Sequence, residues 1–327
     1  MVKIRTYKEG DENGFLSLDR LIEIHPWNRR DITNWNWKYK GNNPAGESII
    51  YVAENDNELV AYFAALPMRY WINGEDVIGS HSIAMMVKPE WQNKGLIKFV
   101  GDKLMQELEE KEIAFTYGYP NENAYELHLK FWNYKLISMQ TLYELNIGDE
   151  LMNSAPNPSN LVVKEIERFD ESVNSFWEKE KNNYNAIVVR DDSFLNWRYI
   201  DRPDAKYHAL GIYDNTELCG YCILKLYKEG EIRRGHIIDY FSRHDSSECA
   251  EVLVDNSLKY FKKNKVDEVN LWMQGSIFNQ EILKKFGFVK GVARPMICRF
   301  NLEEQNHASF LTEENWYFSM GDTLEIY

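Results

Sequence analysis

The chain is short of basic residues: 38 Lys and Arg stand against 51 Asp and Glu, a formal net charge of −13. Binding a nucleic-acid backbone needs a basic face, so this balance argues against a phosphate-backbone partner. Cysteine is scarce too. Cys219, Cys222, Cys249 and Cys298 are the only four in 327 residues, which is no disulfide framework. Cys219-Gly-Tyr-Cys222 does spell C-x-x-C. A redox pair needs that spacing at a helix start, and a zinc site needs two further ligands nearby. Here it sits in Glu217-Leu-Cys-Gly-Tyr-Cys-Ile-Leu, which reads as a strand, where residues three apart point to opposite faces. No metal is expected. No apolar run approaches membrane-spanning length, and the opening Met1-Val-Lys-Ile-Arg-Thr-Tyr-Lys has no apolar signal core. The expectation is a soluble, cytoplasmic protein, monomer or homodimer, with no membrane partner. Against these absences stand 44% apolar residues, enough for ordinary cores, and a length that suggests about two domains.

Ile83 to Val87 is an apolar run that reads as a buried strand. Pro89 and a polar turn end it, and Gln92-Asn-Lys-Gly95 opens an amphipathic helix with Phe99, Val100, Leu104 and Leu108 at helical spacing. A strand that breaks into a glycine turn at a helix start leaves convergent backbone N–H groups, an anion site suited to a pyrophosphate. Farther on, Asn121, Ala124, Leu127 and Lys130 fall in the register Asn-x-x-Ala-x-x-Leu-x-x-Lys. Together the two motifs resemble the GNAT acetyltransferase superfamily, whose acetyl-CoA loop reads Gln/Arg-x-x-Gly-x-Gly/Ala. Three positions depart from it: Ile97 where a small residue is usual, His128 where the family has Tyr, and Trp132 in place of a Gly.

The chain repeats itself at domain length. Asn36-Trp37-Lys38-Tyr39 recurs as Asn196-Trp197-Arg198-Tyr199, each followed by a proline, Pro44 and Pro203. Asn55-Asp-Asn-Glu-Leu-Val-Ala-Tyr62 recurs as Asp214-Asn-Thr-Glu-Leu-Cys-Gly-Tyr221. Both read as strand, tight Asp/Asn turn, strand. Asn121-x-x-Ala124 corresponds to Ser276-x-x-Asn279, followed by Leu283, Lys285, Gly287 and Phe288. Asn153-Ser-Ala-Pro-Asn-Pro-Ser-Asn160 cannot sustain a helix or central strand and reads as a linker. The division expected is a first copy over 1–150, a linker over 151–160, a degenerate copy over 161–302, and a tail over 303–327 too apolar to stay unpacked. The second copy lacks the anion loop: Gly235-His-Ile-Ile-Asp-Tyr-Phe-Ser242 leads into Arg243-His-Asp-Ser-Ser-Glu248, where Asp245 and Glu248 repel a pyrophosphate. Any cofactor should therefore bind the first copy.

The resemblance implies a mixed α/β fold: two tandem GNAT units, each a mixed, mostly antiparallel sheet flanked by helices. It implies acetyl-CoA as donor, held by the backbone of Met85, Met86 and Val87 along the pantetheine arm. Gln92, Asn93, Lys94, Gly95, Leu96 and Ile97 would take the pyrophosphate, with Asn121 or Asn123 near the acyl region. Lys94 and Lys98 add attraction or are ordinary solvated helix charges. For proton transfer, His128 stands in the family's acid register, with Tyr125 and Tyr117 as alternatives. His81, beside Ser82 at the start of the central strand, is the candidate base. Substrate contacts are expected from Glu54, which alternatively is a solvated turn carboxylate, and from Asp239 and Tyr240. A carboxylate inside an apolar strand is costly unless paired, so Asp239 is either functional or salt-bridged. Trp27, Trp35, Trp37 and Trp71 read as core and hairpin packing rather than a sugar platform. The activity implied is transfer of an acetyl group to a primary amine of a small acceptor. Transfer from aminoacyl-tRNA, as in the peptidoglycan-bridge enzymes, is one alternative. A non-catalytic CoA-binding scaffold is the other.

Overall fold

The computed structural model describes residues 2–21, 31–148, 160–274, 277–302 and 312–324, the side chains at 273–279 excepted. Trp27, Ser276 and the linker residues 153–159 lie outside the described residues, as does the side chain of Asn279. The chain begins β1 (Lys3–Thr6), α1 (Glu12–Asp19), α2 (Ile32–Tyr39), β2 (Ile49–Asn55), β3 (Glu58–Ile72), β4 (Glu75–Val87), α3 (Leu96–Glu110), β5 (Phe115–Gly118), α4 (Glu122–Trp132), β6 (Lys135–Asn146). It continues β7 (Leu161–Ile166), α5 (Glu171–Glu180), β8 (Ala186–Val188), α6 (Asp192–Leu195), β9 (Tyr207–Asp214), β10 (Glu217–Glu229), β11 (Ile232–Ser242). It closes with α7 (Ser247–Lys263), β12 (Glu268–Gln274), α8 (Ile277–Lys285), β13 (Val289–Phe300) and β14 (Phe318–Ser319).

Contacts divide these elements into two compact units. The first holds Met1–Tyr70, Asp76–Ser138 and Pro295–Glu313; the second holds Trp71–Glu75, Met139–Arg294 and Glu314–Tyr327. The units are not the two sequence copies with clean ends. The last strand of each copy, β6 or β13, runs on into the other unit's sheet. Residues 139–146 therefore count with the second unit and 295–302 with the first, where the sequence division has them the other way round.

In the first unit the sheet order is β1-β2-β3-β4-β5-β13. β1–β2, β2–β3 and β5–β13 are antiparallel, and β4–β5 is parallel. Asp56 and Asn57 turn between β2 and β3 with φ of 51° and 64°, the left-handed pair that a tight hairpin demands. α3 places Leu96, Ile97, Val100, Leu104, Met105 and Leu108 against Val60, Ala61, Phe63 and Ala65 of β3. Trp35, Trp37 and Tyr39 are buried on α2, and Trp35 meets Tyr7, Phe15 and Tyr39 ring to ring.

In the second unit the order is β7-β9-β10-β11-β12-β6, again with one parallel step, β11–β12. The same order with the same parallel step is what a duplicated unit produces. α7 and α8 supply its helical cover, with Val252, Leu253, Phe261, Ile282 and Leu283 in one core with Leu224, Ile237 and Leu271. The tail enters this unit. β14 pairs with β12 at Met273↔Ser319 and Gln274↔Phe318, past the last β11–β12 pair, His236↔Asn270. The Tyr317 hydroxyl donates to the Tyr240 carbonyl on β11. Residues 316–320 thus fill the gap where β11 and β12 part, with Trp316, Tyr317, Phe318 and Met320 buried.

Candidate active site

β4 and β5 pair at only two positions, Ser80↔Thr116 and His81↔Tyr117. The next residues would be Ser82 and Gly118. A Cβ at Gly118 would lie 3.4 Å from that of Ser82, so the missing side chain leaves the mouth of the parting open. β5 ends there, while β4 runs on to Val87 with residues 84–87 half-buried. The backbone of Met85, Met86 and Val87 therefore lies along an unpaired stretch of strand beside β5, the arrangement that accepts an extended ligand as an added strand.

The strand's end is tied down locally. The Lys88 N–H donates to Val60 O over 2.9 Å, and the Gln92 carboxamide donates to Val87 O over 3.2 Å. Asn93 and Gly95 then take left-handed φ of 59° and 74°. Gly95 caps α3 with no side-chain acceptor, leaving the first-turn N–H groups without a side-chain cap. A Cβ at Gly95 would meet nothing within 4 Å, so the space these groups face is open. An uncapped start on a 15-residue helix, in an exposed loop, fits a phosphate group. Lys94 lies over the Trp91 ring at 5.4 Å, and Lys98 is paired with Asp102 at 2.6 Å. Ile97 does not crowd the loop. Its side chain is buried with Leu96 in the core under α3, so a branched residue is tolerated there.

On α4, Asn121 is the N-cap, its Oδ1 accepting from the Ala124 N–H over 2.9 Å, and Asn123 is exposed in the first turn. Asn121's carboxamide oxygen is thus committed to holding the helix. Tyr125 is half-buried against the same core as Ile97. Trp132 lies buried against Gly101 of α3, where any Cβ would come within 2.0 Å of its ring, and its indole N–H donates to Asp102 over 3.2 Å.

His128 is buried inside a box of Phe63, Trp132 and Tyr134 rings, at centroid distances of 5.6, 5.5 and 4.8 Å. Its Nδ1 stands 2.6 Å from the Ala124 carbonyl, which can only accept, so Nδ1 carries the proton. Nε2 is then a lone pair, and the Ser82 hydroxyl, 3.4 Å away, donates to it. Burial pushes the imidazole down to about 4, with the Ala124 carbonyl opposing. At neutral pH His128 has no imidazolium proton to give. That stands against the expectation that it protonates a leaving thiolate; what its remaining ring nitrogen meets is the Ser82 hydroxyl.

The other sequence candidates fall elsewhere. His81 points away from Ser82, as alternation along a strand requires. It is buried and stacked on Tyr117 at 4.7 Å, with Tyr119 edge-on, so the structure does not bring it to the parting as a base. Tyr117 itself is fully buried. Glu54 is no substrate contact. It sits on β2, two strands from β4, where the Arg5 guanidinium donates to it over 3.0 Å and holds its carboxyl below the usual range. Arg5 also clamps Asp11 at 2.7 Å, so the three form a structural ion cluster. In the second unit Asp239 is salt-bridged rather than free for substrate. The fully buried Arg190 lies 3.3 Å from Asp239 and 3.1 Å from Asp322 of the tail, and the Tyr199 and Tyr221 hydroxyls donate to Asp239. Burial raises the Asp322 carboxyl while Arg190 opposes it. Tyr240 is buried beneath the tail. Sequence reading missed the Ser82–His128 pair and Gly118; the signal was Gly118 at the end of an apolar run, facing the polar residue that follows His81.

Residues 3–129 match the family model described as an acetyltransferase (GNAT) domain. That segment resembles a GNAT acetyltransferase domain. No curated protein matches the sequence. Among solved structures, a GCN5-related N-acetyltransferase from Anabaena variabilis is 13% identical with a TM-score of 0.71, over 92% of this chain and 73% of that one. A probable N-acyltransferase from Enterococcus faecalis is 12% identical at 0.69, over 92% and 73%. A tandem GNAT protein from the clavulanic acid biosynthesis pathway is 10% identical at 0.64, over 93% and 99%. At these identities the likeness is one of fold, and the fold is the tandem GNAT fold. GNAT enzymes take their acyl group from acyl-CoA, and the open β4 edge and the uncapped α3 start suit its pantetheine arm and pyrophosphate. In the second unit the corresponding parting is filled by the tail, and Asp245 and Arg243 pair with each other at the start of α7.

Proposed function

We propose that the protein is an N-acyltransferase that moves an acyl group, most simply acetyl, from acyl-CoA to a primary amine of a small acceptor by direct attack. The observation that carries this reading is the parting of β4 from β5 beside the uncapped, left-handed Gly95 turn. Acyl-CoA, when bound, supplies an activated thioester. The chain's own part is to hold it along Met85–Val87 and residues 92–97, and to orient the amine. Ser82 is suited to the second task. Its hydrogen is committed to His128, so its oxygen is left as an acceptor for an amine N–H. Proximity and orientation of this kind are the larger part of what such a transfer needs. One slot is expected per chain, because the second unit's is filled.

The test is calorimetric titration of the full chain with acetyl-CoA, beside Gly95→Asn. Asn tolerates left-handed φ, so the variant keeps its melting temperature, yet it puts a carboxamide where the N–H groups face. One site in the parent and affinity at least tenfold weaker in the variant, about 1.4 kcal/mol, support the reading. Unchanged affinity in the variant overturns the loop assignment. The neutral, buried His128 favours a second reading, a CoA-binding scaffold without turnover, since it removes the expected acid. Binding with no acyl transfer in a screen of primary amines would select it. Turnover only with aminoacyl-tRNA would select the bridge-enzyme reading instead.

A further inference from the structure

The cysteine chemistry of this chain does not lie in its C-x-x-C. β10 carries a register shift against β9 between Leu218 and Gly220, at Cys219 itself. The simple alternation that would place Cys219 and Cys222 on opposite faces is thereby broken. Both turn toward α7, and each meets a different residue there. Cys222 lies 3.2 Å from the Ser257 hydroxyl, two turns along the helix. Cys219 lies with its sulfur 3.5 Å from that of Cys249, in the first turn of α7. Cys298 belongs to the first unit.

We propose that Cys219 and Cys249 are a thiol pair that closes to a disulfide when the folded protein meets hydrogen peroxide or a related small peroxide. Three features of the geometry support it. A disulfide is about 2.0 Å long, so the sulfurs at 3.5 Å must approach by about 1.5 Å, which side-chain rotation with a small backbone shift supplies. Cys219 lies at a ladder irregularity, where a shift breaks no regular pairing. Cys249 sits in the first turn of a 17-residue helix, its own N–H capped by Ser246; the helix start and Arg243, itself paired with Asp245, favour thiolate there, and Glu248 opposes them. The helix start, Ser246 and Arg243 all lie at Cys249 and not at Cys219, so attack is assigned to Cys249; contact with Cys219, then Ser246 and Arg243, lower its thiol against burial.

The steps balance. The Cys249 thiolate attacks one peroxide oxygen, forming S–O and breaking O–O, and the leaving hydroxide takes a proton to become water. The Cys219 sulfur then attacks the Cys249 sulfenic sulfur. The S–S bond forms, S–O breaks, and hydroxide leaves with the Cys219 proton as water. Two thiols and one peroxide give one disulfide and two waters. Both cysteines are buried, so only a small oxidant is expected to act on the folded chain.

The experiment treats the intact full chain with hydrogen peroxide, removes the oxidant, and alkylates in denaturant before intact-mass and peptide analysis. Two alkylations, a peptide joining residues 219 and 249, and reversal by dithiothreitol are expected. Cys249→Ser and Cys219→Ser should each abolish the linked peptide, and Cys222→Ser should leave it. Four alkylated cysteines after exposure overturn the proposal. So does a 219–222 link, or Cys249 carried to sulfinic acid with no linked peptide. A shift to higher melting temperature on oxidation, absent from Cys249→Ser, checks that the bond forms in the native unit rather than in unfolded chain.

Discussion

At residue scale, His128 couples the candidate site to pH. Its imidazole is held neutral with the proton on Nδ1, and burial lowers it from 6.5 to about 4. Between those values the unfolded chain binds a proton that the folded chain does not, so stability falls as pH drops through that window and is fully present above it. A shift of that size corresponds to about 3 kcal/mol. His236 is also buried and lowered, to about 3, by burial and by Lys225, so it adds to the slope over a slightly wider range. The difference between parent and variant isolates His128. Urea unfolding at pH 7 and pH 4.5 should show His128→Gln losing less stability on acidification than the parent, by about 2 kcal/mol. Equal losses in the two proteins would mean that His128 protonates in the folded state as easily as in water. The same neutrality bears on the role proposed for Ser82, since an imidazolium would reverse the hydrogen bond and turn the serine oxygen away from accepting an amine.

At the scale of elements, the α3–α4 contact explains how the chain departs from its family's pattern without losing the site. Trp132 stands where a small residue is usual, and its ring occupies the space over Gly101, thirty-one positions earlier on α3. A methyl at Gly101 would fall within 2.0 Å of the indole. Gly101→Ala gains helix propensity of about 1 kcal/mol, but overpacking of this kind costs about 1–3 kcal/mol and must push α4 outward. Thermal and urea melts should show Gly101→Ala destabilised and Gly101→Ala with Trp132→Phe partly restored. The two substitutions should couple by about 1 kcal/mol. Strict additivity would mean that the helices have slack. The two motifs were legible in the sequence because each is local: a left-handed glycine at a helix start and an Asn cap are written within a few residues. The compensation was not, because Gly101 has no local role on α3 and only the packed pair gives it one. Ile97 shows the same limit. Its position in the motif suggests crowding of the loop, and only the helix phase, which turns it into the core with Leu96 and Val100, removes the conflict. The Cys219–Cys222 spacing misled for a related reason, since a bulge changes which face a residue occupies and leaves no mark in the spacing itself.

At the scale of the molecule, duplication was legible and closure was not. Recurring tetrapeptides and hairpin turns reveal two copies, but nothing in the sequences of β6 and β13 says which sheet each one closes, and the folded chain gives each to the other unit. The structure gives the first unit Pro295–Phe300 as the strand beside β5, through Ile297↔Gly118 to Phe300↔Phe115. Asn301 adds hydrogen bonds from its carboxamide to Ile113 O at 2.9 Å and to Thr116 Oγ1 at 3.0 Å, and Arg299 binds Glu109. Residues 1–150 expressed alone lack all of this. Their β5 would become an open edge, with Phe115, Thr116 and Tyr117, all buried in the intact unit, left partly uncovered. The separate fragment is therefore expected to aggregate or to bind a hydrophobic dye without a cooperative melt. A full chain given a protease site at 151–160 and cut there should behave oppositely. Each piece supplies a strand that the other's sheet needs, 139–146 in one direction and 295–300 in the other, so the nicked protein should elute as one species and unfold in one transition. A soluble 1–150 fragment with a sharp melt near that of the intact chain would show that the first copy closes its sheet with its own β6. The exchange of last strands would then be dispensable for folding.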